Sequence, residues 1–118
     1  MSDAELLERP AGHVATDQVS QALHVSRTEL AHALGISRES ITKTARAQSP
    51  STQARLREML DILNRAQPWA GSLVQAFAWY RAQPLPSFGD QTAEALVKEG
   101  RAEEIRRYLD RLAVGGFA

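Results

Sequence analysis

The sequence predicts an all-α fold: an N-terminal helix-turn-helix bundle followed by a small C-terminal helical domain. Three observations lead there. Apolar residues recur at i, i+3, i+4 and i+7 in at least three segments, helix-capping residues stand before most of them, and no segment alternates as a strand does. With 118 residues the chain can bury a core of its own, and with no cysteine it does so without disulfides or thiolate metal sites.

Residues 1–15, ending "RPAGHVA", carry no sustained period and read as a mobile arm. In "TDQVSQALHV" Thr16 or Asp17 is placed to cap a short helix whose Val19, Ala22 and Leu23 share one face. "SRTELAHALG" follows, with Ser26 and Glu29 spaced as a reciprocal capping box, Leu30 and Leu34 one turn apart, and Gly35 to end the helix. Ser37 then opens "SRESITKTAR", whose inward stripe is Ile41 and Ala45. A break at "AQSPS" precedes a long helix carrying Leu56, Met59, Leu60 and Leu63, which Pro68 is expected to stop.

The second half repeats the pattern. Leu73, Ala76, Phe77 and Tyr80 mark another helix, and helical spacing assigns Trp69, Phe77, Trp79 and Tyr80 to the core, with one tryptophan available as an interface anchor. "PLPSFGD" is too rich in proline and glycine for a helix. Two last helices fit "QTAEALVKEG" and "RAEEIRRYLDRLAV", separated at Gly100, the second with Ile105, Tyr108, Leu109 and Leu112 on one face. The organisation expected is an arm over 1–15, a helix-turn-helix region with its long helix over 16–64, and a third region over 65–118.

"RTELAHALGISRESITKTAR" has the layout of a helix-turn-helix: a small residue, Ala31, at the crossing, Gly35 at the turn, and Leu34, Ile36 and Ile41 pinning the helices. Its outward residues are Arg38, Glu39, Thr42, Lys43 and Arg46, the candidates for phosphate or base-edge contact. The net charge of +0 supplies no broad basic field, so DNA binding would have to be local and strengthened by a homodimer. An ordinary helical hairpin remains the competing reading.

From Trp69 onward, "AFAWYRAQPLPSFGDQTAEALVKEGRAEEIRRYLDRLAVGGFA" resembles the toxin-binding region of Xre/MbcA/ParS-type antitoxins. The resemblance rests on the order of an aromatic-rich helix, a proline and glycine loop, a short helix, a final helix and a glycine-containing end. Where that family often has paired glycines and a proline, this chain has Phe88, Gly89 and Asp90, then Thr92 and Ala93. The resemblance implies an antitoxin of a type II toxin–antitoxin system whose partner is a RES-domain toxin, an enzyme acting on NAD, and which autoregulates its operon by binding operator DNA. It also implies that Val114, Gly115, Gly116, Phe117 and Ala118 approach the toxin's active-site cleft, with Arg101, Arg106 and Arg107 at the rim.

A tail of this kind is marginal on its own surface. Each fixed residue costs roughly 1–2 kcal/mol of backbone entropy, while burying Phe117 returns roughly 1.5–3 kcal/mol. A carboxylate at Ala118 meeting an arginine could add a similar amount. Phe117 folding back on the protein's own core, or fraying, is the alternative.

His13, His24 and His32 have no spacing that suits a metal, and no nucleophile, phosphate loop or acid–base pair stands out, so neither an enzyme nor a cofactor is expected. No apolar run could span a membrane and no leader is visible, which fits a cytoplasmic protein. Two other functions stay open: a stand-alone transcriptional regulator whose C-terminal helices dimerise, and a scaffold whose helix-turn-helix no longer touches DNA.

Overall fold

The computed structural model describes residues 13–114, and they are helical with no strand among them. Eight α-helices follow one another: α1 Thr16–Leu23, α2 Arg27–Leu34, α3 Glu39–Thr42, α4 Thr44–Ala47, α5 Pro50–Ala70, α6 Leu73–Ala82, α7 Ala93–Lys98 and α8 Ala102–Ala113. A single 3₁₀ turn, Pro86–Phe88, interrupts the loop before α7. The chain divides into two compact units at Asp61 and Ile62, within α5.

In the first unit α1 does not use the expected cap. Ala15 occupies the N-cap position, and Thr16, already helical, donates its hydroxyl to the Ile41 carbonyl at 3.4 Å. His24 closes the helix in the left-handed region (φ 59), a position ordinarily given to Gly or Asn. At α2, Ser26 Oγ accepts the Glu29 N–H at 3.1 Å, the forward half of the capping box. Gly35 (φ 70) ends this helix, as its lack of a Cβ permits.

The next helix departs from expectation. "SRESITKTAR" is not one helix but two single turns, α3 and α4, divided at Lys43, whose backbone is extended (φ −91, ψ 120). Ile41 is buried as the period predicts, but Ala45 is exposed and Ala47 takes the second inward position. Two β-branched threonines at 42 and 44 flank the break, a local composition with little helix propensity to carry a longer run.

Residues 13–15, expected to belong to the mobile arm, are tied down. Val14 is buried, and buried Gln53 on α5 accepts its N–H and donates to its carbonyl at 3.0 Å. The same Gln53 amide donates to the Ala47 carbonyl at 2.7 Å. Residues 1–12, the rest of the expected arm, lie outside the described residues. Arg55 adds a second tie, its guanidinium donating to the Leu34 carbonyl at the end of α2.

Helix α5 begins where Pro50 takes the first turn, in which a missing N–H costs nothing, and Ser49 accepts the Thr52 N–H. Its stripe of Leu56, Met59, Leu60 and Leu63 is buried as expected, with Ile62 and Ala66 beside it. Pro68 does not stop the helix; α5 continues to Ala70 and ends at Gly71 (φ 108). The final N–H bond at this end is Gly71 to the Gln67 carbonyl.

The second unit gathers Leu63 and Ala66 of α5, Leu73, Ala76, Phe77 and Tyr80 of α6, Leu85, Ala93 and Leu96 of α7, and Ala102, Ile105 and Leu109 of α8 into a buried set. Ser72 caps α6 and Thr92 caps α7, each accepting an N–H three residues on at 3.1 Å. The loop between them is closed by Leu85, buried, whose N–H meets the Gln91 carbonyl while its own carbonyl accepts from Phe88 and Asp90. "PLPSFGD" is therefore an ordered turn.

Candidate functional site

The residues assigned to DNA contact fall around the α3–α4 break. Arg38, Glu39, Lys43 and Arg46 are exposed and Thr42 is half-buried. The Thr42 hydroxyl is engaged locally, donating to the Arg38 carbonyl at 3.2 Å. Arg46 Nη1 lies 2.7 Å from Glu39 Oε2, so this cation is already neutralised. Among the described residues Arg38 and Lys43 form no salt bridge, and they remain the two cations of the group open to a phosphate. The divided backbone does not present all five side chains on one helical face, as a recognition helix would.

Beside this break lies a cavity of about 570 Å³, with Thr16, Asp17, Arg27, Ile41, Thr42 and Gln48 among its walls. Asp17 and Arg27 are paired with each other across α1 and α2, which leaves the cavity without a free charge from either.

The residues assigned to toxin contact lie on α8 and its approach. Arg101 is held on three sides. Its guanidinium bonds Glu104 at 2.7 and 3.0 Å, stands 3.7 Å from Glu99, and lies 5.8 Å above the Phe88 ring. The Glu104 hydrogen bond raises the Arg101 pKa above its ordinary value, helped by the charges of Glu104 and Glu99 against partial desolvation. In turn the Arg101 hydrogen bond lowers the Glu104 pKa. Arg106 bonds Glu103 at 3.4 Å. Arg107 is exposed and forms no salt bridge among the described residues. Val114 is 87% exposed, and Gly115, Gly116, Phe117 and Ala118 lie outside the described residues.

Aromatic side chains join these groups. Phe88 from the loop meets Tyr108 of α8 edge-to-face at 5.9 Å, and Arg111 lies 5.9 Å above the Tyr108 ring. Arg101, Phe88, Tyr108 and Arg111 thus form a row, two packed rings with a cation at either end, running from the loop along α8. Arg111, like Arg107, forms no salt bridge among the described residues, whereas Arg65, Arg81, Lys98, Arg101 and Arg106 each meet a carboxylate. Sequence reasoning passed over Arg111. Its position one turn beyond Arg107, with no acid at i−3 or i−4 to oppose it, is the signal that would have found it.

The tryptophans are not core as spacing suggested. Phe77 and Tyr80 are buried, but Trp69 is 38% exposed and Trp79 half-buried, the two rings meeting edge-to-face at 5.2 Å. Helix α6 is apolar nearly all round, so its period alone does not choose which arc turns inward.

No family model matches this chain, and no curated protein or solved structure matches it. Among the described residues there is no cluster of His, Asp and Glu side chains fit to hold a metal ion, and no helix long and apolar enough to cross a membrane.

Proposed function

We propose that this chain is a cytoplasmic, non-catalytic antitoxin that binds a RES-domain toxin through its second unit and obstructs the toxin's active-site cleft. Its first unit contacts operator DNA as part of a dimer. The observation that carries the reading is the order of elements from Leu73 to Val114. An aromatic-bearing helix is followed by a closed proline and glycine turn, a short capped helix, and a final helix edged with arginines, and the chain leaves that helix at exposed Val114. This is the order on which the resemblance to Xre/MbcA/ParS-type antitoxins rests.

The arginine row supports a docking role for α8. Among the described residues Arg107 and Arg111 form no salt bridge, and Tyr108 between them offers a ring to a partner. Support for DNA binding is thinner: among the described residues Arg38 and Lys43 are the cations of the proposed contact group that form no salt bridge, and two single-turn helices replace a recognition helix. The stand-alone regulator is accordingly the second reading, since it must bind its operator at full strength with these contacts alone.

Co-expression with the product of the neighbouring gene tests the proposal. The neighbour should arrest growth by itself, lose that effect when this chain is present, and co-purify with it. A harmless neighbour, or a toxic one that forms no complex, sinks the antitoxin reading. Operator binding that is tight without any partner favours the regulator instead.

A further inference from the structure

We infer that the outer face of α6 is the contact through which two copies of this chain associate. Among the described residues the exposed large apolar side chains are Trp69, Val74 and Val114, and the first two belong to this face or adjoin it. On α6 the buried positions Leu73, Ala76, Phe77 and Tyr80 occupy one arc. The opposite arc carries Val74, Gln75, Ala78 and Ala82, all exposed, and half-buried Trp79, against which Trp69 packs. None of these is charged.

The single charge of α6, Arg81, is drawn off the face. Its Nε bonds Glu94 at 2.7 Å and its guanidinium lies over the Phe77 ring. Every other helix of eight or more residues exposes charge: Asp17 on α1, Arg27 and Glu29 on α2, Arg55 and Arg57 on α5, and Glu103, Arg107, Asp110 and Arg111 on α8.

The lack of charge selects the occupant. A two-fold contact sets each patch against its own image, so any charge near the axis meets a like charge or must be stripped of water. The α6 face meets its copy without either cost. It also offers an oppositely charged partner nothing to pair with. Val74, Ala78 and Ala82 form one i, i+4 row, the ridge by which helices commonly interdigitate, and the small side chains at 78 and 82 allow close approach of the backbones. A two-fold axis at Ala78 places Trp69 and Trp79 of each copy beside the ridge, where the partner copy covers the exposed parts of their rings.

The inference supplies the dimer that the operator half of the proposed function requires, but it rests on α6 alone and its test uses only this protein. Sedimentation equilibrium should show a reversible dimer that dissociates on dilution through the micromolar range, roughly 1–100 µM, as a small interface does. The double substitution V74E and A78E should raise that dissociation constant by at least about 10-fold, since it sets four carboxylates together at the axis. Both positions are exposed and helical and Glu is a good helix former, so an unchanged helical circular dichroism spectrum checks the fold.

The chain has no cysteine of its own, so A78C reports the axis directly. It should form an intermolecular disulfide under mild oxidation far faster than R111C on α8, because two residues at an axis lie within the reach of an S–S bond. A protein monomeric throughout the range overturns the inference, leaving toxin binding untouched. So does a dimer that V74E and A78E do not weaken, or R111C cross-linking as fast as A78C.

Discussion

Arg46 reaches back across extended Lys43 to place Nη1 2.7 Å from Glu39 Oε2, joining α4 to α3 by an ion pair where the backbone has no helix to join them. Both side chains are more than half exposed, so the pair is worth at most about 1 kcal/mol of stability. Its larger effect is to occupy the cation.

Glu39→Gln should therefore leave the melting temperature nearly unchanged while strengthening binding to a random DNA duplex. The slope of log affinity against log salt should steepen by about one as Arg46 becomes free for a phosphate. Fluorescence anisotropy over a salt series measures both. An unchanged slope means that this surface does not meet the backbone of DNA.

Gln53→Met should destabilise the first unit by about 2–4 kcal/mol, since it leaves the Val14 N–H and the Val14 and Ala47 carbonyls without a partner in a buried site. Denaturant unfolding reads the loss. A change below about 0.5 kcal/mol would mean that water satisfies these groups as well as the amide does.

The second unit has its own ionic centre at Glu94, whose carboxylate takes Arg81 Nε at 2.7 Å and Lys98 Nζ at 2.9 Å while only 12% of the side chain is exposed. Glu94→Gln removes a charge-assisted pair that links α6 to α7 and should cost roughly 1–3 kcal/mol. The same substitution frees Arg81, which a thermal melt and a salt series distinguish from a simple packing defect.

Glu104 gives the pH dependence a sign. Its folded pKa is lowered, chiefly by the hydrogen bond from Arg101, so its contribution is present above the unfolded carboxylate pKa and lost as pH falls through the folded value. Carboxyl-detected NMR should find Glu104 titrating below an ordinary glutamate, and Arg101→Gln should move it back up. The Arg101 shift lies above any accessible titration and adds nothing in that window.

Removing Gly115 to Ala118 should weaken inhibition of the toxin more than it weakens the complex, as the proposed function has the tail obstruct a cleft that α8 only borders. Pull-down and NAD consumption, measured on the same preparation, separate the two. Equal loss of both makes the tail an anchor.

The apolar stripes were legible because a buried face of α5 or α8 repeats at the helical period, and Leu56, Met59, Leu60, Ile105 and Leu109 are buried where the period puts them. The cap at Ser26 was legible for the same local reason. What escaped was set at long range. Gln53 ties residues 39 apart in the chain, a bond that no local pattern announces. Which of two candidate inward positions is covered, Ala47 and not Ala45, is likewise not written in the local period. On α6, apolar residues on both arcs hid the partial exposure of Trp79.

The turn closed by Leu85 and Gln91 has a kinetic meaning. Because backbone bonds and the buried Leu85 already fix it, Phe88 is set against Tyr108 before any partner arrives. A protein docking on that row meets a finished surface and does not wait for a loop to find its shape. The ordering entropy is spent in folding, so the association proposed there would be limited by the encounter and its orientation.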